Sequence, residues 1–515
     1  MLLLNQLKPN TYFDSVTLMA ISTKVNQLEG VIQAQIAMGT PMNKAVLKEA
    51  HLFDSQLEKA GPSDLMIALS LEKGASEQKI LSEVEKLLIR KPFDDTQAEN
   101  DIFHSINSVN EKHPETNLAI ISVNGLYAAR EAEKALNLNK NVMLFSDNVS
   151  IEQELKLKQL AHQKGLLMMG PDCGTAIING VGLGFANKVR GGNIGIVAAS
   201  GTGAQEISVR IHEFGGGISQ LIGTGGRDLS EDIGGIMMLD GLQMLAEDPN
   251  TDIIIVVSKP PAPTIARKIL STCEHINKPI FIWFLGYKEE TKTAPHIHIY
   301  SHSKPAAMAA VIASGIPEES IDKHALNLPL IKEVQKKLNP QQRYIRGLFC
   351  GGTLCDEALF SALEKYPNVY SNIQTNPAYQ LQASDKSIEH TFIDFGDDSF
   401  TNGKAHPMID PSYRIERILQ EGRDPEVGVL LLDFVLGFGA NPDPIAETLP
   451  ALLQVKREAQ QSGRHLEILA YVLGTELDQP SVQNQVAQLE AAGITIASSS
   501  TNAGLLAREF VAKGE

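Results

Sequence analysis

The stretch Ile194-Gly195-Ile196-Val197-Ala198-Ala199-Ser200-Gly201-Thr202-Gly203-Ala204-Gln205-Glu206 decides how the rest of the chain is read. A β-branched run ends in a turn of small residues, and a helical stretch starts at once. A buried strand feeding a helix through such a turn is one half of a βαβ unit. The small side chains of Ser200, Gly201, Thr202 and Gly203 leave the first helical amides uncovered, and the helix dipole places about half a positive charge there. An anion such as phosphate fits that position; a plain βα turn with Thr202 capping its helix is the alternative. The pattern is not a Walker A loop, because no Gly-Lys-Ser/Thr follows. As a dinucleotide fingerprint it lacks the third glycine, position 206 being Glu206. The next strand, Ile218 to Ile222, ends in Gly223 where an acidic ribose-binder would stand. NAD is not expected.

The same strand–turn–helix unit recurs on both sides. Leu118 to Val123 leads into Asn124-Gly125 and a helical stretch to Leu138. Asn141 to Phe145 leads into Asp147-Asn148, and Leu166 to Met169 into Gly170-Pro171-Asp172. Ile218 to Ile222 leads into Gly223-Thr224-Gly225-Gly226, and Ile253 to Val257 and Ile280 to Leu285 follow. Gly347 to Cys350 with Gly351-Gly352, and Val427 to Phe434 with Gly437 and Gly439, repeat it near the end. Alternation of this kind predicts an α/β chain of several doubly wound, Rossmann- or flavodoxin-like parallel sheets. The expected divisions are an N-terminal α/β region over 1–114, units over 115–190 and 191–315, a proline-bearing linker over 316–343, and a last α/β domain over 344–515.

Composition excludes several classes. The 515 residues carry 45 Lys+Arg against 61 Asp+Glu, a net charge of −16 with no basic cluster, so no nucleic-acid partner is expected. Aromatic residues make up 5%, with the single tryptophan Trp283, which disfavours stacking platforms. Cys173, Cys273, Cys350 and Cys355 are too scattered for a disulfide framework, and no C-x-x-C pair suggests structural zinc. Met1-Leu2-Leu3-Leu4-Asn5 is no signal peptide, and no apolar stretch is long enough to span a membrane. A cytoplasmic protein acting on a small anionic substrate is the expectation.

Further candidates for chemistry lie in similar turns. Gly170, Pro171, Asp172, Cys173 and Gly174 offer consecutive amides after a strand, and Cys173 reads either as a stabilised thiolate or as a packed side chain. Gly225, Gly226 and Arg227 form another, in which Arg227 clamps an oxyanion or pairs with Asp228 or Asp232. Gly351, Gly352 and Thr353 open a second phosphate-type turn. Asp394 to Asp398 and His406 form the densest acid–histidine region, either solvated or a place for Mg²⁺. In the pattern His296-x-His298-x-x-x-His302, His296 and His298 share a face if the segment is a strand, and read as phosphoryl carriers, metal ligands or plain surface residues.

The ordered turns Gly170 to Thr175, Gly195 to Gly203 and Gly223 to Asp228 resemble those of the succinyl-CoA synthetase α-subunit and other NDP-forming acyl-CoA synthetases. The likeness spans about residues 115 to 310. Residues 344 to 510 are similar to the ligase domain of the same enzyme's β-subunit, through Gly351-Gly352-Thr353 and Gly437-Phe438-Gly439. The whole chain, with Met38-Gly39-Thr40-Pro41-Met42-Asn43-Lys44 near its start, most closely resembles the FdrA family. The resemblance implies a CoA-binding-like unit over 115–190, CoA or another phosphate-containing ligand, and a phosphate cradled between Ser200-Gly201-Thr202 and Gly351-Gly352-Thr353. The phosphorylated Gly-His-Ala-Gly-Ala of succinyl-CoA synthetase has no counterpart here, since the matching stretch is Thr293-Ala294-Pro295-His296-Ile297-His298. No ATP-grasp half is recognised, so nucleotide is expected from elsewhere, through a partner subunit or a homo-oligomer. The family resemblance also implies a role in an oxamate-type carbamoyltransferase working with a partner protein and a carbamate kinase. A non-catalytic CoA-binding or scaffold subunit is the third reading.

Overall fold

Aliphatic and β-branched runs form the strands of the computed structural model, which describes residues 2–9, 11, 13, 15–61, 64–88, 103–286, 293–381, 386–401 and 405–512. Ile253–Ser258, Ile280–Phe284 and Val427–Val435 are buried at every position. Such continuous runs are what a parallel sheet covered on both faces demands.

The chain divides into two units. The smaller comprises Met1–Ile102 and Asp397–Asp410. It contains β1 (Leu2–Lys8), α1 (Ser15–Asn26), β2 (Val31–Met38), α2 (Pro41–Glu49), β3 (Leu65–Leu71) and α3 (Glu77–Leu88). Its three strands form an antiparallel sheet in the order β1-β3-β2. Val25, Ile36, Ile67, Leu69 and Val84 fill its core.

The larger unit comprises Phe103–Gly396 and Pro411–Glu515. Its first part holds α4 (Ile106–Lys112), β4 (Leu118–Ile121), α5 (Gly125–Asn137), β5 (Asn141–Leu144), α6 (Ile151–Lys164) and β6 (Met168–Met169), with β4-β5-β6 in one parallel sheet. Next come β7 (Thr175–Ile178), β8 (Val181–Gly184), β9 (Gly191–Ala198), α7 (Gly201–Glu213), β10 (Ile218–Gly223), α8 (Ile236–Glu247), β11 (Ile253–Ser258), α9 (Pro263–Cys273), β12 (Ile280–Phe284), β13 (Ile297–Tyr300) and α10 (Ser303–Ala313). These strands make a seven-stranded sheet in the order β13-β12-β11-β9-β10-β7-β8. The expected division at 190/191 is therefore shifted: the hairpin β7–β8 pairs with β10 and joins the sheet that follows it.

The remainder is α11 (Leu328–Lys337), β14 (Tyr344–Phe349), α12 (Gly352–Leu363), β15 (Val369–Ser371), β16 (His390–Asp394), α13 (Asp398–Thr401), α14 (Ser412–Glu421), β17 (Val427–Val435), α15 (Pro444–Gln461), β18 (Glu467–Leu473), α16 (Val482–Ala491), β19 (Thr495–Ile496) and α17 (Ser500–Phe510). Of these, α13 lies in the smaller unit. The strands form a parallel sheet in the order β15-β16-β14-β17-β18-β19. The expected linker over 316–343 is partly helical, because Ile331 and Val334 of α11 are buried.

The five strands β9 to β13 and the five strands β14, β16, β17, β18 and β19 share one connectivity. In each, the first strand lies between the second and the third. Strand order reverses beside β9 in one sheet and beside β14 in the other. Open parallel sheets bind ligands at the carboxyl ends of strands flanking such a reversal. Among the described residues no helix is long and apolar enough to cross a membrane.

Candidate functional site

The turns that end β9 and β14 meet each other. Ser200 is the N-cap of α7, its hydroxyl accepting from Gly203 N at 3.0 Å. The same oxygen is hydrogen-bonded to Thr353 Oγ1 of α12. Thr353 N donates in turn to Thr202 Oγ1 at 3.2 Å. Two helix N-termini from different sheets are thus cross-capped by Ser200, Thr202 and Thr353. An α-helix has no internal acceptor for its first amides. Those of Gly201, Thr202 and Gly352 have no acceptor among the described residues.

The α12 end is not wholly open. Cys350 N and Gly351 N both donate to the carboxylate of Asp433 at 2.8 Å, and Arg414 Nη1 pairs with it at 2.9 Å. Asp433 is fully buried; burial raises its pKa against the opposing pull of Arg414 and these amides. The carboxylate occupies a place that the sequence left free for a ligand at Gly351. Gly352 stays clear of a side chain of its own, because a Cβ there would lie 2.5 Å from Asp394 Oδ2 and 3.3 Å from Lys259 Nζ.

Lys259 follows β11 at the strand reversal and reaches across to α12. Its ammonium sits 2.8 Å from Asp356 Oδ2, and its side chain is 43% exposed. Burial opposes its charge, but Asp356 and Asp394 outweigh that and raise its pKa, so it stays cationic. The residues Lys259-Pro260-Pro261-Ala262-Pro263 pass straight into α9. Proline fixes φ, and that stiffness holds the lysine in place.

The turn Gly170 to Gly174 lies against Gly225, where a Cβ would meet Pro171 O at 2.3 Å and Gly170 Cα at 3.0 Å. These two turns are brought together, but their amides are largely spent. Asp172 N donates to Ser146 O at 3.0 Å and Cys173 N to Leu144 O at 3.2 Å. Cys173 is buried, burial pushes its thiol up to about 12, and Sγ points at the carbonyls of Thr175 and Gly223. It packs and does not ionise. Arg227 pairs with Glu154 at 2.8 Å and donates to Val149 O, not to Asp228 or Asp232. Asp228 instead binds the buried Lys158 and caps Met238 N of α8. Gly226 stands beside it, the nearest atom to its missing Cβ being Asp172 Oδ2 at 3.7 Å.

His296 and His298 are not at the junction. His296 O accepts from Ile280 N, which sets it at the amino end of β13, whereas α7 starts at the carboxyl end of the parallel β9. His296 Nε2 meets Cys273 O at 3.2 Å, and His298 stacks on Phe281 at 5.3 Å. His406 belongs to the segment grouped with Met1–Ile102; burial lowers its pKa to about 4 and keeps it neutral. His302, at the carboxyl end of β13, is the histidine that faces α12, 3.7 Å from Glu357, which raises its pKa.

Sequence reasoning missed Lys259, Asp356 and the carboxylate of Asp433 that holds the amides of Cys350 and Gly351. A lysine at the end of a β-branched run before a proline cluster was the available signal. Among the described residues no group of three or more His, Cys, Asp or Glu is arranged to hold a metal ion.

Comparison with known proteins now bears on this geometry. A family model described as "CoA-ligase" matches residues 348–510, and one described as "CoA binding domain" matches 190–286. A third, "AllF, heavy metal-associated domain", matches 1–102. Those residues contain no cysteine and one histidine, His51. Soft metals select thiolate and thioether ligands, and these residues supply no thiolate. The succinate–CoA ligase [ADP-forming] α-subunit of Methanothermobacter thermautotrophicus is 26% identical over 229 residues, 44% of this chain and 73% of that one. A dinucleotide-forming acetyl-coenzyme A synthetase of Ca. Korarchaeum cryptofilum is 18% identical, with 82% of this chain and 87% of that one covered at a TM-score of 0.31. YahF of Escherichia coli (strain K12) is 58% identical over 509 residues, 99% of this chain and 98% of that protein. The chain belongs to the family of YahF, the FdrA family of CoA-ligase-like proteins.

Proposed function

We propose that the chain carries out acyl transfer of the CoA-ligase type, with a phosphoryl group held where α7 and α12 meet. The observation that carries this is the cross-capped junction of Ser200, Thr202 and Thr353, with bare amides at Gly201, Thr202 and Gly352. Lys259 supplies a positive charge beside them. The CoA-ligase and CoA-binding matches and the succinate–CoA ligase relatives support the reaction class.

In the proposed step the CoA sulfur bonds to the acyl carbon of an acyl phosphate. The carbon–oxygen bond breaks, and phosphate leaves with its electron pair. The thiol proton passes to solvent. The amides and Lys259 meet the charge that grows on the leaving oxygen, which is electrostatic stabilisation by fixed donors. No histidine carries a phosphoryl group in this scheme.

The test is incubation of the full-length protein with an acyl phosphate and CoA. Acyl-CoA and free phosphate are expected, with activity unchanged in His296→Asn and His298→Asn. Gly201→Val is expected to abolish phosphate binding while the protein stays folded, because a Cβ at Gly201 meets its nearest atom at an ordinary 3.7 Å. Failure of the protein to bind either phosphate or CoA overturns the proposal. Phosphate release from carbamoyl phosphate alone transfers it to carbamoyl chemistry.

A further inference from the structure

Thr175 opens β7 and is 2% exposed. Its Oγ1 has no hydrogen-bond partner among the described residues. A buried hydroxyl without a partner is uncommon in a native fold and loses its hydration for nothing in return. The backbone of Thr175 is engaged, its carbonyl receiving Cys173 Sγ at 3.6 Å. The side chain alone is idle.

That hydroxyl faces the start of α7. It is the nearest atom to where a Cβ on Gly201 would lie, at 3.7 Å, followed by Gly174 Cα at 3.9 Å and Gly174 N at 4.0 Å. Gly201 is the first residue of a 13-residue helix whose leading amides point outward without acceptors. Two glycines and one idle hydroxyl therefore border the same small space. The two polar atoms nearest that point, Thr175 Oγ1 and Gly174 N, can both donate, as can the amide of Gly201. An oxyanion satisfies all of them.

We infer that Thr175 is a ligand-binding hydroxyl, donating to an oxygen of the phosphoryl group that the amides of Gly201 and Thr202 hold. The assignment rests on the proposed phosphoryl site and adds to it a residue from a third element, β7. It also gives the hairpin β7–β8 a task in the seven-stranded sheet: it presents Thr175 to the helix end.

The experiment titrates inorganic phosphate into the full-length protein, its Thr175→Val variant and its Thr175→Ser variant, with a thermal melt of each. Valine replaces the hydroxyl by a methyl of similar shape, so an idle hydroxyl is removed without loss of packing. Thr175→Val is expected to melt at or above the wild-type temperature, yet bind phosphate about tenfold more weakly, the worth of one hydrogen bond to a charged group. Thr175→Ser is expected to restore binding. Unchanged affinity in Thr175→Val overturns the assignment. So does a melting temperature lowered by several degrees, since the hydroxyl then had a structural partner. Absence of phosphate binding by the wild-type protein is a different result, which removes the phosphoryl site and this residue with it.

Discussion

Lys259 is a cation delivered by one sheet to the helix end of another, and Asp356 pairs with it at 2.8 Å. If the ammonium serves a ligand, its two neighbours have opposite effects. Lys259→Gln is expected to weaken phosphate binding about tenfold, the loss of one charge-assisted hydrogen bond. Asp356→Asn is expected to strengthen it, because the competing carboxylate is gone. Calorimetric titration of both variants checks this, and a shift in the same direction for the two would reduce the pair to a structural ion pair. The residue was hard to read in the sequence. Ser200, Gly201, Thr202, Gly351 and Gly352 announce themselves by smallness at strand ends, which is a local property. Lys259 acquires meaning only through Asp356, 97 positions later. Cys173 shows the converse: a reactive residue type in a suggestive turn, set aside by burial that no local pattern reports.

The helices α7 and α12 are held by different caps. Ser200 caps α7 through its own hydroxyl, a pattern visible in the sequence. Gly351 has no side chain to do this for α12, so Thr202 caps Thr353 N from the other helix, while Asp433 of β17, 82 residues away, holds the amides of Cys350 and Gly351 just before it. Removing that carboxylate leaves Arg414, itself 1% exposed, charged and unpaired. Asp433→Ala is therefore expected to cost about 3–5 kcal/mol of unfolding free energy, as a broken buried ion pair does, measured by urea denaturation. The sequence announced β17 as a buried run with an aspartate inside it. It gave no hint that the aspartate would turn toward the turn that ends β14. In the same way residues 175–184 fall within the expected unit 115–190 yet form a hairpin that pairs with β10 of the following sheet, because a local pattern does not specify a strand's partner.

At the scale of the whole molecule, two buried groups of the larger unit titrate in opposition. Burial raises Glu206 to about 7, against Arg210. The folded state thus keeps a proton that the unfolded chain gives up near its ordinary 4.5, and this contribution is lost as pH rises through 7. Burial lowers His390 to about 4, so folding holds it neutral, and its contribution is lost as pH falls from 6.5 toward 4. Between about pH 4.5 and 6.5 the two slopes oppose each other. In Glu206→Gln stability is expected to rise with pH across that window, and in His390→Gln to fall. Trp283 is fully buried in β12 and the chain's single tryptophan, so its fluorescence in urea reports both slopes.

The cross-capped contact of Ser200, Thr202 and Thr353 is made within one polypeptide. Surfaces tethered in this way meet at an effective concentration set by the intervening chain and not by the amount of protein in solution. Diluting the sample leaves the pairing intact, whereas a contact assembled from separate subunits comes apart as it is thinned. The pairing of these two helix ends is therefore independent of how much protein the cell makes.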